Sequence, residues 1–299
     1  MLRIALACLV MLSLQGCAVL GPYSPLAPLE RQGIFHPDKY PAGDWSPTAV
    51  LVQDAYFNAD DGVRLHGWYV RAAEPKAHAL LLHGNAGNVT VMAESLRIMR
   101  SRHELSVLAL DYRGFGRSEG MPTDQGILRD ARAARRWLAD KEGIAESDVL
   151  LLGQSLGGGV AIDLAAKDGA RGLVLAGTFT SLPAVAQHQV PWLPVKFFMG
   201  MQMNSLKKIK DYHGPLLLSH GQADEVIPYE QGLALYVACP SPTKRLITIA
   251  GAKHNDPQPE EYRAALDDFI AALPPLSQQP SPPPAVPRLT FSTDDKSLP

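Results

Sequence analysis

Ser155 stands in the run Gly153-Gln154-Ser155-Leu156-Gly157, between an apolar stretch over residues 149–152 and a helical pattern over 156–166. A glycine-flanked serine between a strand and a helix is the nucleophile elbow, a turn so sharp that it presents the hydroxyl. Gly153 and Gly157 keep bulk away where the strand and helix backbones crowd, and Gly158 and Gly159 extend that close approach. A free serine hydroxyl is a poor nucleophile. It needs an imidazole to take its proton and a carboxylate to fix the imidazole's tautomer and charge. Two later segments supply them. Asp224 lies in His220-Gly221-Gln222-Ala223-Asp224-Glu225-Val226-Ile227-Pro228, after an apolar run at 216–218, and His254 lies in Gly251-Ala252-Lys253-His254, after a run at 246–249. Ser155, Asp224 and His254 therefore read as a catalytic triad. Glu225 is the nearest rival carboxylate; Asp256 is a weaker one, with no strand immediately before it. The glycines after the strand could also suit a phosphate loop, but the Lys-Ser/Thr pair of that motif is absent.

The elements that must position these residues are legible as apolar runs. Residues 50–57 and 63–70 flank Asp60-Asp61-Gly62, a turn signal, and predict an antiparallel hairpin. Short continuous apolar runs follow at 79–82, 105–110, 149–152, 173–176, 216–218 and 246–249. Continuous rather than alternating apolarity means burial on both faces, as in a parallel sheet covered by helices. Helical patterns fall between them at 123–139, 156–166, 229–237 and 260–272; in the first, Thr123 is an N-cap and Ile127, Ala131, Ala134 and Leu138 share one face. Strand–helix alternation predicts an α/β fold with a doubly wound, mostly parallel sheet. Ligand sites in such sheets lie outside the carboxyl ends of the strands, where each candidate residue falls.

Composition narrows the function. The chain has 299 residues, 46% hydrophobic and 19% charged, enough apolar material for one large core. A formal net charge of -2 and the lack of any basic block argue against non-specific nucleic-acid binding. Three cysteines, Cys8, Cys17 and Cys239, make neither a disulfide framework nor a C-x-x-C pair, and no cluster suits a structural zinc. No metal or organic cofactor is implied.

The two ends differ from the middle. Residues 1–16 read as a signal peptide: Arg3, then an apolar run from 4 to 14 that is too short to span a bilayer. Leu14-Gln15-Gly16-Cys17 resembles a bacterial lipobox, in which the peptide is cut before the cysteine and its thiol carries lipid; Gln15 departs from the more usual Ala or Ser. An ordinary secretory signal cut elsewhere, or an uncut anchor, is the alternative. With Cys8 removed and Cys17 lipidated, Cys239 alone would remain, as suits an oxidising compartment. Ala18 after the cysteine implies, by the same resemblance, a lipid anchor in the bacterial cell envelope, in the outer membrane facing the periplasm. Six prolines between Pro22 and Pro47 make 17–49 a Pro/Gly-rich tether or a surface-hugging arm, and 274–299 a Pro-rich disordered tail.

Together, His83-Gly84-Asn85-Ala86-Gly87-Asn88, the segment from Asp111 to Gly120, the elbow and the loops carrying Asp224 and His254 resemble the α/β-hydrolase superfamily across 50–273. The branch resembled is that of small serine hydrolases, peptidase-like and depalmitoylase-like. The family's acid loop matches at Asp224, and the chain order Ser, Asp, His is the family's. The resemblance implies an oxyanion hole made by the backbone N–H groups of Asn85 and Leu156, with His83 bracing its loop. For the Asp111–Gly120 segment the structural reading is preferred over nucleotide binding: Gly114 and Gly116 permit tight turns and Arg113 pairs with a loop carboxylate. The resemblance also implies a small cap at about 181–210, where Trp192, Phe197 and Phe198 either line the substrate or pack as core. The implied activity is hydrolysis of a small-molecule carboxylic ester or thioester through an acyl-enzyme. An amidase or peptidase on the same triad, and a non-catalytic envelope binding lipoprotein, remain as alternatives.

Overall fold

A computed structural model describes residues 27–195 and 198–277. The expected signal segment 1–16, Cys17, Phe197 and the tail from 278 lie outside the described residues. The chain begins with helix α1 (Ala27–Ile34) and the two-residue strand β1 (His36–Pro37). The hairpin follows as β2 (Gln53–Asn58) and β3 (Arg64–Val70), paired antiparallel with Gln53 opposite Tyr69. Then come β4 (Ala77–Leu82), the short β5 (Ala86–Gly87), helix α2 (Ala93–Ser101), β6 (Leu105–Asp111) and α3 (Asp124–Glu142). The remainder runs β7 (Leu150–Gln154), α4 (Leu156–Asp168), β8 (Gly172–Ala176), α5 (Leu182–Gln189), α6 (Ser205–Lys208), β9 (Leu216–Gly221), α7 (Tyr229–Ala238), β10 (Lys244–Ile249) and α8 (Glu260–Ala271).

Eight of these strands form one sheet in the order β10-β9-β8-β7-β4-β6-β3-β2. From β10 to β6 all pairs are parallel; β3 runs antiparallel to both β6 and β2. The continuous apolar runs are explained by the pleat. Leu80, Leu82, Leu151 and Leu175 face one core with Ile127, Leu138, Val160 and Leu164, while Ala79, Leu81, Leu152 and Val174 face a second core with Leu96, Tyr262 and Leu266.

Helix α3 starts and stops where its sequence directs. Thr123 Oγ1 accepts the Gly126 N–H at 3.0 Å, a cap worth about 1 kcal/mol, and Gly143 ends the helix in the left-handed region at φ +66°. The four residues expected on its buried face are all buried. Helix α4 carries no polar face over its first ten residues; Leu156 to Ala165 are all buried, so it is a core helix and its N-terminus points out of the core at Ser155.

Three features depart from expectation. Residues 27–49 follow the arm reading rather than the tether, and they hold elements that were not expected: α1 and β1 lie within them and Phe35 is buried in the core. Pro28, one of the six prolines of this stretch, occupies the first turn of α1, where a missing N–H costs nothing. Residues 274–277 are likewise docked: Arg171 Nε donates to Pro274 O, and the Ser277 N–H and hydroxyl bond the Asp148 carboxylate. Helix α2, which the sequence reading did not pick out, packs Leu96 fully buried and Ala93, Met99 and its N-cap Met92 half-buried against the second core.

Candidate active site

The carboxyl ends of β4, β7, β8, β9 and β10 converge, and the candidate residues converge with them. Ser155 caps α4 with φ +52° and ψ −117°, a conformation that costs a non-glycine residue about 1–3 kcal/mol. Its neighbours hold it there. The Ser155 N–H donates to Ala176 O at 3.0 Å, and the Thr178 hydroxyl donates to Ser155 O at 2.8 Å. A Cβ at Gly153 would lie 2.5 Å from Gly157 O, and one at Gly157 would collide with Leu82 O; the elbow is that close to its own helix and to β4.

His254 bridges the other two members. Its Nε2 is 3.1 Å from Ser155 Oγ and its Nδ1 is 2.7 Å from Asp224 Oδ2. The other Asp224 oxygen accepts the Val226 and Ile227 N–H groups at 2.9 and 2.8 Å, and His220 Nε2 lies 3.3 Å from Oδ2. Burial raises the pKa of this carboxyl; the hydrogen bonds from His220, His254 and Ile227 outweigh it and hold the group well below the usual carboxylate range. An ionised Asp224 only accepts, so the neutral imidazole carries its proton on Nδ1 and turns the Nε2 lone pair toward the serine hydroxyl.

The rival carboxylates are engaged elsewhere. Glu225 is exposed and pairs with Lys253 Nζ at 3.2 Å. Asp256 accepts the Lys253 N–H at 2.8 Å, closing the turn that carries His254. His220 is the partner that sequence reading missed. It is buried, with Nε2 also 2.8 Å from Ile227 O, and its signal is its place in the His-Gly-x-x-Asp run.

Among the described residues no acceptor takes the Asn85 N–H, and the Leu156 N–H is one of the orphan donors at the start of α4. Both stay available for an oxyanion. The loop carrying Asn85 runs against the nucleophile, since a Cβ at Gly84 would lie 3.6 Å from Ser155 Cβ. His83 is buried under Tyr112 and Phe115, with Nδ1 2.8 Å from Gly84 O. Burial lowers its pKa, so it stays neutral and braces the loop. Farther along, Asp111 receives the Val89 N–H and His66 Nδ1, and Arg113 pairs with both Asp130 and Asp61. The glycine-rich segment after β6 is thus structural, with Gly114 and Gly116 at φ +82° and +46°.

The cap splits into two parts. Met199, Met201 and Met203 are buried in the core. Helix α5 rests on the acid loop through His188 Nε2 to Glu225 O and Gln189 Nε2 to Val226 O. Trp192 beyond it is 80% exposed and Phe198 is half-buried. A cleft of about 330 Å³ opens on the other side of the nucleophile strand, where Gln154, Met92, Met99, Asn255, Pro257 and Tyr262 line it. The elbow, through Gly153 and Gln154, and the loop after His254, through Asn255 and Asp256, contribute to its rim; the loops carrying Asn85 and Asp224 do not.

Comparison with known proteins places this architecture. A family model described as serine aminopeptidase, S33, matches residues 73–210. The α/β hydrolase domain-containing protein WAV2 of Arabidopsis thaliana is 31% identical over 229 residues, covering 69% of this chain and 73% of that protein. The chain belongs to the α/β-hydrolase family. It is also similar to the uncharacterized protein Rv2307c of Mycobacterium tuberculosis, 34% identical over 240 residues, covering 80% of this chain and 85% of the relative. The esterase Pf2001 of Pyrococcus furiosus shares the fold at a TM-score of 0.67 with 22% identity, over 80% of this chain and 99% of the other. Among the described residues no helix is long and apolar enough to cross a membrane.

Proposed function

We propose that this hydrolase cleaves carboxylic esters or thioesters through an acyl-enzyme formed on Ser155. The observation that carries the reading is the unbroken hydrogen-bonded line from Asp224 through His254 to Ser155 Oγ. In the first half-reaction Ser155 Oγ attacks the acyl carbon and its proton passes to His254 Nε2. The Asn85 and Leu156 N–H groups take the oxyanion of the tetrahedral intermediate. Collapse breaks the bond to the leaving oxygen or sulfur, which receives the proton from His254. Water then attacks the acyl-enzyme, giving its proton to His254; the acid leaves and the proton returns to Ser155. Asp224 stays ionised throughout and stabilises the imidazolium.

The exposed Trp192 supports contact with the outer part of a longer acyl chain. An amide-cleaving reading is favoured by the aminopeptidase description of the matching family model alone. Purified protein offered an ester, a thioester and an amide of one acyl group decides between them. The expected result is turnover of the first two, with Trp192→Ala altering preference among long chains and leaving the shortest ester unchanged. Amide cleavage alone would replace this reading, and silence on all three would favour a binding role.

For its location, the proposal is an envelope lipoprotein anchored at Cys17, supported by the apolar run over 4–14 that ends in Leu-Gln-Gly-Cys. Labelled fatty acid is expected on the wild type and not on Cys17→Ser; a soluble, unlabelled wild type would contradict it.

A further inference from the structure

Helix α1 and strand β1 precede every motif the site uses, and the family match begins only at residue 73. They nevertheless touch the site's surroundings at two places. The first is the loop that carries Asn85. Asn85 Nδ2 donates to Ile34 O at 2.8 Å, and Asn85 O accepts the His36 N–H at 2.8 Å. These two bonds grip, from both sides, the residue whose own N–H is left over to bind an oxyanion. The grip continues along the loop. β1 pairs parallel with β5, His36 opposite Ala86 and Pro37 opposite Gly87, and the Asp38 N–H donates to Gly87 O at 2.9 Å. Asn88 Nδ2 donates back to Asp38 O and Ala42 O at 3.1 and 3.0 Å.

The second place is the cap. Glu30, one turn earlier on α1, accepts the Gly200 N–H at 2.8 Å and the Met201 N–H at 2.9 Å with its two carboxylate oxygens. Phe35, buried in the core just after α1 and flanked by Ile34 and His36, pins the arm beside the Asn85 loop. A single eight-residue helix thus connects the cap segment to the loop of the oxyanion donor.

The loop is braced at its start by His83 and at its end by Asp111 through the Val89 N–H, with Asn85 between them. It holds Gly84 and Gly87, the latter at φ +80°, so its backbone has wide freedom wherever no partner restrains it. An oxyanion donor must sit about 2.7–3.1 Å from the developing charge, and a misplacement of about 1 Å can cost about 100-fold in rate. We propose that the α1–β1 arm is the positioning element of the oxyanion hole, setting the Asn85 N–H through Ile34 and His36 and coupling that loop to the cap through Glu30. The proposal rests on the serine-hydrolase reading above. Ile34, His36 and Glu30 act through Asn85 and touch no substrate; they are positioning residues. One consequence is that a displacement of the cap at Gly200–Met201 reaches the oxyanion donor through one rigid helix.

Three variants of the full chain test this: Asn85→Ala, which keeps the backbone N–H but loses the bond to Ile34, Glu30→Ala, which cuts the tie to the cap, and Glu30→Gln, which keeps an acceptor. The readouts are kcat and KM on a short nitrophenyl ester, affinity for a trifluoromethyl ketone whose hemiketal oxyanion needs the hole, and Tm. Asn85→Ala is expected to lower kcat about 10- to 100-fold with KM within about twofold, and to weaken the ketone in proportion. Glu30→Ala should show the same split at about 3- to 10-fold, with Glu30→Gln, which keeps one accepted bond and sets an amide donor against the other N–H, recovering only part of it. Wild-type kcat and ketone affinity in Glu30→Ala, with only Tm lowered, would overturn the proposal whether or not Asn85→Ala folds. A wild type inert to esters and to the ketone would instead remove the hydrolase reading itself.

Discussion

The proposed acid–base half of the site and its proposed oxyanion half are secured in opposite ways. Asp224 is held by near neighbours: the N–H groups of Val226 and Ile227, two and three residues on, and His220, four residues back. Asn85 is held by Ile34, 51 positions away, and by the rest of an arm that shares no motif with it. A carboxylate fixed by its own loop travels with its motif. An N–H fixed from afar depends on a segment whose sequence says nothing of catalysis. Damage to the first half is expected to disable proton transfer outright, and damage to the second to loosen one charge-stabilising contact.

The largest test is Ser155→Ala. It is expected to lower kcat by about 10⁴ to 10⁶ while leaving the oxyanion half intact, so that the residual rate falls further when Asn85→Ala is added. Equal residual rates with and without Asn85→Ala would deny that the two halves act separately. Next comes the choice of carboxylate. Asp224→Asn should cost about 10⁴ in rate by reversing the imidazole tautomer, whereas Glu225→Gln, whose partner is Lys253, should stay within about twofold. A crippled Glu225→Gln beside a healthy Asp224→Asn would reverse the assignment. His220→Gln should cost about 10- to 100-fold in kcat, the worth of one charge-assisted hydrogen bond to Asp224. An unchanged kcat there would make His220 a loop brace only.

The smallest effect concerns stability. The folded-state pKa of Asp224 is depressed, so its contribution is complete above the unfolded value of about 3.9 and is lost as pH falls below that value toward the folded one. Denaturation of the wild type and Asp224→Asn between about pH 6 and pH 3 should show a stability gap that is constant at the upper end and narrows at the lower. A gap that widens with acid would mean that the carboxyl is raised, not lowered.

How much of this could be read beforehand follows the same division. Continuous Leu and Val runs marked the parallel strands, and the elbow, acid loop and His254 loop each carried local residue patterns at their ends. The strands were read too short where they reach the site. Gly153 and Gln154 pair in register with Leu175 and Ala176, because a ladder of backbone hydrogen bonds makes no demand for apolar side chains. Helix α2 was passed over although Met92, Leu96 and Met99 form a narrow apolar stripe, because polar and charged residues interrupt the sequence between them. Of the two readings of 17–49, the surface-hugging arm is the one the fold favours over the described 27–49; its helix was missed because Pro28 stands in its first turn, and several of its attachments are backbone groups of Ile34, His36 and Asp38, whose identities leave no signature. Sequence patterns report side-chain chemistry and burial; contacts made by main-chain atoms across 50 residues report neither.

The most direct measurement is covalent. Wild-type protein treated with a fluorophosphonate and digested should yield one phosphonylated peptide, modified at Ser155, with labelling abolished in Ser155→Ala and slowed by orders of magnitude in His254→Ala. Labelling of another residue, or none in a folded and stable wild type, would contradict the assignment of Ser155 as the nucleophile and with it the acyl-enzyme route.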